Sequence, residues 1–258
     1  MQHSIKNISF AGSGNIAWHL AKGLKQQGYR ISGIWSRDYS HAVKLADVCD
    51  TNAFHDLKEL RDESDIIIIA VADNAIKSVA ESIGNYHGIV VHTAGSIALE
   101  TVRGNFKNAG VFYPLQTFSK EIPVSLKEVP FFIEASSEDV KQILRLIASK
   151  LSSNVYEADS RQRLLLHVAA VFAGNYSNFM YTIGEEILKS TDLPIEVLHP
   201  LMQETARKAV NGDPKLLQTG PARRNDTVTI EKHMNALASL PDYAELYGLL
   251  AKLISKKY

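Results

Sequence analysis

Over the first hundred residues, short unbroken apolar runs alternate with segments whose apolar residues return every three or four positions. Residues 8–11, 31–35, 66–71 and 89–92 read as strands, the third of them an almost continuous β-branched series. Such runs suit strands buried on both faces, as in a parallel sheet covered by helices. Between the first two strands, residues 15–27 put Ile16, Leu20 and Leu24 on one stripe, with Gly28 as a stop. A weaker helical pattern covers 41–48. Asp73 stands where it can cap a helix over 74–83 that turns Ile76, Val79, Ala80 and Ile83 inward. Strands at 110–113, 131–133 and 154–156 and a helix over 138–151 complete this half.

Near Asp159 the period changes. Residues 162–189 read as one long helix, apolar almost all round between Leu164 and Ala173, a pattern that predicts neighbours on several sides. Pro194, Gly212, Pro214, Gly220 and Pro221 then punctuate further helical segments, the last over 242–254. The expectation is a doubly wound α/β domain over 1–158 and an all-helical domain over 159–258.

Composition narrows the class of partner. Twenty-eight basic residues balance twenty-eight acidic ones, which points away from nucleic acid and anionic membranes. No apolar stretch is long enough for a membrane span, and the N-terminus lacks a signal-peptide pattern. Cys49 is the single cysteine, which suits a reducing, cytoplasmic setting, and the nine histidines show no metal-ligand spacing.

The chemistry-bearing segments lie at the strand ends. Gly12 and Gly14, with Ala17 in the third small position, follow a strand and open a helix. Gly12 permits the tight turn, Gly14 lets backbone approach a pyrophosphate, and the free N–H groups of the first helical turn meet its charge. The second strand ends in Ser36-Arg37, a hydroxyl and a guanidinium, which favours the 2′-phosphate of NADP. Asp38 keeps NAD open if that strand runs further. Ala72 would line the ribose side of a cofactor, and Asp73 is either a cap or a base. His92, Thr93 and Ser96 follow the fourth strand; His92 either faces a nicotinamide or is a buried imidazole. Gln116 lies in the polar-aromatic loop Tyr113-Pro114-Leu115-Gln116-Thr117-Phe118. On the long helix His167, Val171, Gly174 and Asn178 share a face, with Asn175 beside it, and form either a substrate pocket or a structural polar network. Glu204 and Lys208 read as a surface pair, and the loop 218–224 as an anion site or a helix cap.

In this order, the segments GSGNIA, WSR, VADNAI, VVHTAGS, GVFYPLQTF, PFFIEA, HVAAVFAGNYSNFMY, PLMQETARKAV and LQTGPARRND resemble one family along nearly the whole chain. That family joins a Rossmann-like NADP oxidoreductase domain to a helical domain of unknown function, number 2520. The first half is more distantly similar to pyrroline-5-carboxylate reductase and to the deazaflavin-dependent NADP oxidoreductases. The resemblance implies that Gly12, Ser13, Gly14, Asn15 and Ile16 form the pyrophosphate loop. It puts Ser36 and Arg37 in the 2′-phosphate pocket and Ala72 and Asp73 beside the nicotinamide ribose. Relatives with this architecture pair through the helical domain, so a homodimer is expected. The catalytic lysine of the 6-phosphogluconate-type dehydrogenases has no counterpart here, where the corresponding helix offers His167, Asn175 and Asn178. The reading is an NADP-dependent oxidoreductase acting on a small carbonyl or imine. His167 is its general acid, Asn175 and Asn178 orient the substrate, and His92, Thr93, Ser96 and Gln116 wall the pocket. The alternative is a non-catalytic NADPH sensor or scaffold.

Overall fold

The computed structural model describes residues 5–258. Its element order is β1 (Asn7–Ala11), α1 (Asn15–Gln26), β2 (Arg30–Trp35), α2 (Tyr39–Cys49), β3 (Ala53–Phe54), α3 (Glu59–Glu63), β4 (Ile66–Ile69), α4 (Ile76–Ile83), β5 (Ile89–His92), α5 (Glu100–Arg103), β6 (Ala109–Pro114), β7 (Phe131–Ala135), α6 (Glu138–Leu151) and β8 (Val155–Glu157). The eight strands form one sheet in the order β3-β2-β1-β4-β5-β6-β7-β8. Every pairing is parallel except β6 with β7, which are joined by a loop that carries no crossover helix of ordinary length. The order reverses beside β1, between β1 and β4, which in sheets of this kind is where ligands bind.

Strict alternation along the strands builds two cores. Ile8, Phe10, Ile66, Ile68, Val91 and Phe112 face α1, α2 and α6 on one side of the sheet. Ile67, Ile69, Val90 and Val111 face α4 and α5 on the other. The four isoleucines of β4 are buried to the last atom or nearly so, as the unbroken β-branched run requires. That strand ends at Ile69, short of the expected 71, and a 3-10 turn over Asp73–Ala75 precedes α4. Asp73 therefore does not cap α4; Ala75 stands at that position without a side-chain bond.

The long helix expected over 162–189 is three consecutive pieces: α7 (Ser160–Ala170), a π-helical segment (Val171–Tyr176) and α8 (Ser177–Leu188). A π turn adds a residue without changing the apolar pattern, so periodicity cannot announce it. Contacts divide the chain into a unit ending at Gly174 and one over Asn175–Tyr258. Thus α7, read from sequence as the start of the helical half, belongs by its contacts to the sheet's unit. The second unit consists of α8, α9 (His199–Asn211), α10 (Pro214–Leu217), α11 (Thr227–Ala236) and α12 (Pro241–Lys257), with a 3-10 turn over Ile195–Leu198. Among its apolar side chains only Ala222, Leu237 and Ala251 are buried. Instead of the neighbours expected on several sides, Leu165, Val168, Phe179, Met180 and Tyr181 on α7 and α8 are exposed. No helix among the described residues is long and apolar enough to cross a membrane.

Candidate functional site

The turn after β1 is shaped by two glycines with different reasons. Gly12 has φ +125°, and a Cβ there would lie 2.2 Å from the Ala70 carbonyl oxygen, so the chain passes too close to the end of β4 for any side chain. Its N–H donates to the Trp35 carbonyl at 2.7 Å, tying the turn to β2. Gly14 stands before α1 at an ordinary φ of −70° and gives the helix no side-chain cap. A Cβ on Gly14 would meet nothing within 4 Å. The orphan N–H groups of the first turn therefore open onto free space, which is what a pyrophosphate needs. Ser13 is buried, Ile16 packs partly against the core, and Ala17 is fully buried, as close helix–sheet packing demands. The Asn15 side chain is otherwise engaged: its amide donates to the Phe118 carbonyl at 2.7 Å, leaving its backbone for the turn. One turn later His19 Nε2 donates to the Ser119 carbonyl at 2.8 Å, and its ring stacks on Phe118. Two side chains of α1 thus hold the loop that follows β6.

At the end of β2, Ser36 and Arg37 follow Trp35 directly, and Arg37 is exposed with no ion pair among the described residues. Asp38 caps α2. Its carboxylate accepts the Ser40 hydroxyl at 2.7 Å and the Ser40 N–H at 2.9 Å, and these bonds hold its pKa below the usual carboxylate value. It is occupied as a cap beyond the strand end, which leaves the position after β2 to the hydroxyl and guanidinium.

Beyond β4 and β5 the sheet edge is polar. Ala72 and Asp73 are exposed, and the Asp73 carboxylate accepts the hydroxyl of the half-buried Ser96. Thr93 is buried. His92, read from sequence as a pocket wall or a buried imidazole, has no exposed surface. Its Nδ1 accepts the Ala94 N–H at 3.2 Å, so the proton of the neutral ring sits on Nε2, which has no hydrogen-bond partner. Burial, and next the Arg163 charge, push its pKa down to about 3, while the Ala98 carbonyl acts weakly the other way. Gln116 is exposed and accepts the N–H of Thr117 at 2.8 Å.

The α7 helix reaches this edge through a buried charge. The sequence Asp159-x-x-Gln162 forms a capping box. Arg163, 1 % exposed, pairs with Glu134 of β7 and donates to the carbonyls of Ala94 and Ile97. Ser160 completes the cluster, donating to Glu134 at 2.9 Å and accepting the Leu99 N–H at 3.1 Å. One turn beyond Arg163, His167 Nδ1 lies 3.1 Å from the hydroxyl of Tyr113, the ring meeting it edge-on. Gly95 fits between the two: a Cβ there would be 2.8 Å from Tyr113 Cζ and 2.9 Å from His167 Cβ. Burial, with the Asp73 charge, pushes the Tyr113 phenol up to about 12. Asn175 and Asn178 belong to the second unit and are exposed.

Sequence reasoning named His167 and the segments containing Tyr113 and Gly95, but gave no role to Tyr113, Gly95, Arg163 or Glu134. The available signals were a charge just before the apolar stretch of α7 and a tyrosine next to the end of β6.

An open glycine turn at the first strand of a doubly wound parallel sheet defines a dinucleotide-binding domain. The family described as "NADP oxidoreductase coenzyme F420-dependent" matches residues 7–95, and the "Domain of unknown function (DUF2520)" matches residues 129–254. The crystal structure of a "putative NADP oxidoreductase" from Bacteroides fragilis is 42% identical, covers 98% of both chains and superposes with a TM-score of 0.93. The chain belongs to this family of NADP oxidoreductases, in which the nucleotide-binding domain is joined to DUF2520. The fold is shared more widely. A reductive aminase from Aspergillus terreus, in complex with NADPH and ethyl levulinate, is 15% identical over 98% of this chain and 95% of its own, with a TM-score of 0.72. A pyrroline-5-carboxylate reductase from Coxiella burnetii is 15% identical over 98% and 99%, with a TM-score of 0.59. A search of curated proteins finds no match.

Proposed function

We propose that this oxidoreductase uses NADPH to reduce a small carbonyl or imine compound, with His167 as the proton donor. The observation that carries the reading is the placement of His167. Within the same unit as the open glycine turn, Tyr113 and Gly95 hold it at the carboxyl edge of the sheet. Backbone N–H groups from Ser13 to Ile16 would hold the pyrophosphate where Gly12 shapes the turn, and Ser36 with Arg37 the 2′-phosphate. Ala72 and Asp73 would lie beside the ribose. NADPH, when bound, supplies a hydride to the substrate carbon. The heteroatom must then gain a proton, and imidazole is the side chain most often used for that transfer. Ser96 and Gln116, both reaching solvent at this edge, would meet the substrate, with Thr93 behind them. The reductive aminase, solved with a keto ester and NADPH, supports a carbonyl or imine as the substrate class.

The second unit supports a homodimer. With three buried apolar side chains and Leu201, Val210, Leu216, Leu249 and Leu253 exposed, it lacks a core of its own. A second copy would cover such a surface by two-fold pairing.

The test is binding followed by turnover. NADPH should bind more tightly than NADH, and Arg37→Ala should remove the preference by weakening NADPH alone. On a substrate found among small ketones and cyclic imines, His167→Ala should lower kcat by ~10²- to 10⁴-fold with NADPH affinity retained. Turnover surviving that change would sink the acid assignment. Tight NADPH binding with no oxidation across the panel would favour a sensor.

A further inference from the structure

We propose that Tyr113 is a positioning residue for His167, its hydroxyl hydrogen-bonded to Nδ1 so that Nε2 is the ring nitrogen left to carry the transferred proton. The inference rests on the reading of His167 as the proton donor, but its direct readout does not need a substrate.

The geometry leaves few alternatives for this pair. The hydroxyl and Nδ1 are 3.1 Å apart, and the tyrosine is itself 6 % exposed at the end of β6, where the sheet fixes its backbone. Its phenol is held far above neutrality by burial and by the Asp73 carboxylate, so it stays protonated, able to donate to Nδ1 of the neutral ring and to accept from Nδ1–H of the imidazolium. The group that gives up the Nε2 proton is the imidazolium, which returns to a neutral ring with Nδ1–H held on the phenol oxygen. Nδ1 accepts from the phenol in the neutral ring and donates to its oxygen in the imidazolium, and in both states Nε2 remains to face a substrate.

Two further features hold the pair at this distance. Gly95 lacks the Cβ that would drive Tyr113 and His167 apart. Arg163, one turn before His167, clamps α7 to the carbonyls of Ala94 and Ile97 on either side of that glycine. The loop, the tyrosine and the histidine therefore move as one piece. A helix anchored only by apolar contacts would let the imidazole turn about its Cβ, and the choice of nitrogen would be lost.

The experiment is nitrogen NMR of the histidine-labelled, full-length protein, with and without NADPH. In the native protein His167 should show Nδ1 as a hydrogen-bonded acceptor and Nε2 as the protonated nitrogen. In Tyr113→Phe, which keeps the ring and its packing, the Nδ1 signal should move toward that of a free acceptor. Gly95→Ala should produce the same movement from the other side of the contact, with Tyr113 intact. An Nδ1 signal that Tyr113→Phe leaves in place, in protein with native thermal stability, overturns the proposal. Where a substrate is known, Tyr113→Phe should lower kcat roughly three- to tenfold, the scale of one hydrogen bond, with NADPH affinity unchanged. The two readings fail separately. A moved Nδ1 signal in a protein that reduces nothing would leave the positioning intact and remove the reductase. Full turnover loss in His167→Ala with no Nδ1 movement in Tyr113→Phe would do the reverse.

Discussion

His92 sits four strands into the sheet with no water against it, and that has a consequence for stability. Its imidazole is held neutral, with a pKa pushed from 6.5 down to about 3. The unfolded chain exposes the ring and takes up a proton as pH falls through about 6.5, whereas the native state does not. Between those values the unfolded state binds more protons, so stability falls as pH falls, with a limiting slope of about 1.4 kcal/mol per pH unit. Below about 3 the native ring protonates too and the slope from this group vanishes. His92→Gln removes that titration. Urea unfolding at pH 7 and pH 4.5 should show the native protein losing more stability than the variant over this interval. Equal losses would mean that the ring is not held neutral.

At the scale of the element, the β1–α1 turn separates two uses of glycine that a sequence motif treats alike. Gly12 carries a left-handed φ and a close backbone approach, so Gly12→Ala adds strain of about 1–3 kcal/mol before the collision with Ala70 is counted. Gly14 has an ordinary φ and open space at its Cβ direction. Gly14→Ala should therefore melt within a few degrees of the native protein yet bind NADPH more weakly, because its methyl enters the space before α1. Thermal melts and NADPH titrations of the two variants check this: Gly12→Ala should lose both stability and binding, Gly14→Ala binding alone. Equal NADPH affinity in Gly14→Ala and the native protein would remove the turn as a phosphate cradle.

At the scale of the molecule, the imbalance lies between a sheet unit with two full cores and a helical unit with almost none. If a second copy covers the exposed helices, folding and association are linked, and the melting temperature should rise with protein concentration. Light scattering at micromolar concentration should give twice the chain mass. Leu249→Asp with Leu253→Asp, one turn apart on α12 and both half exposed, should lower that mass or weaken the concentration dependence. A monomer whose melting temperature ignores concentration would leave the helical face to another occupant.

Much of this was legible in the chain itself. The strands, the glycine turn and the helix stripes follow from short unbroken apolar runs, from a period of about 3.6 residues and from glycines such as Gly12 that can take a conformation closed to other residues. Those are local rules, and local spacing is what a sequence displays. Tertiary structure decided the rest. It ended β4 at Ile69, set Asp38 as a cap and Asp73 against Ser96, and inserted the π segment into the long helix. It also buried His92 and brought Tyr113 to His167, 54 residues apart in the chain. No period links a strand end to a helix that far along. Only the packing of α7 over the sheet edge, clamped by Arg163 on Glu134, brings those two side chains within hydrogen-bonding distance.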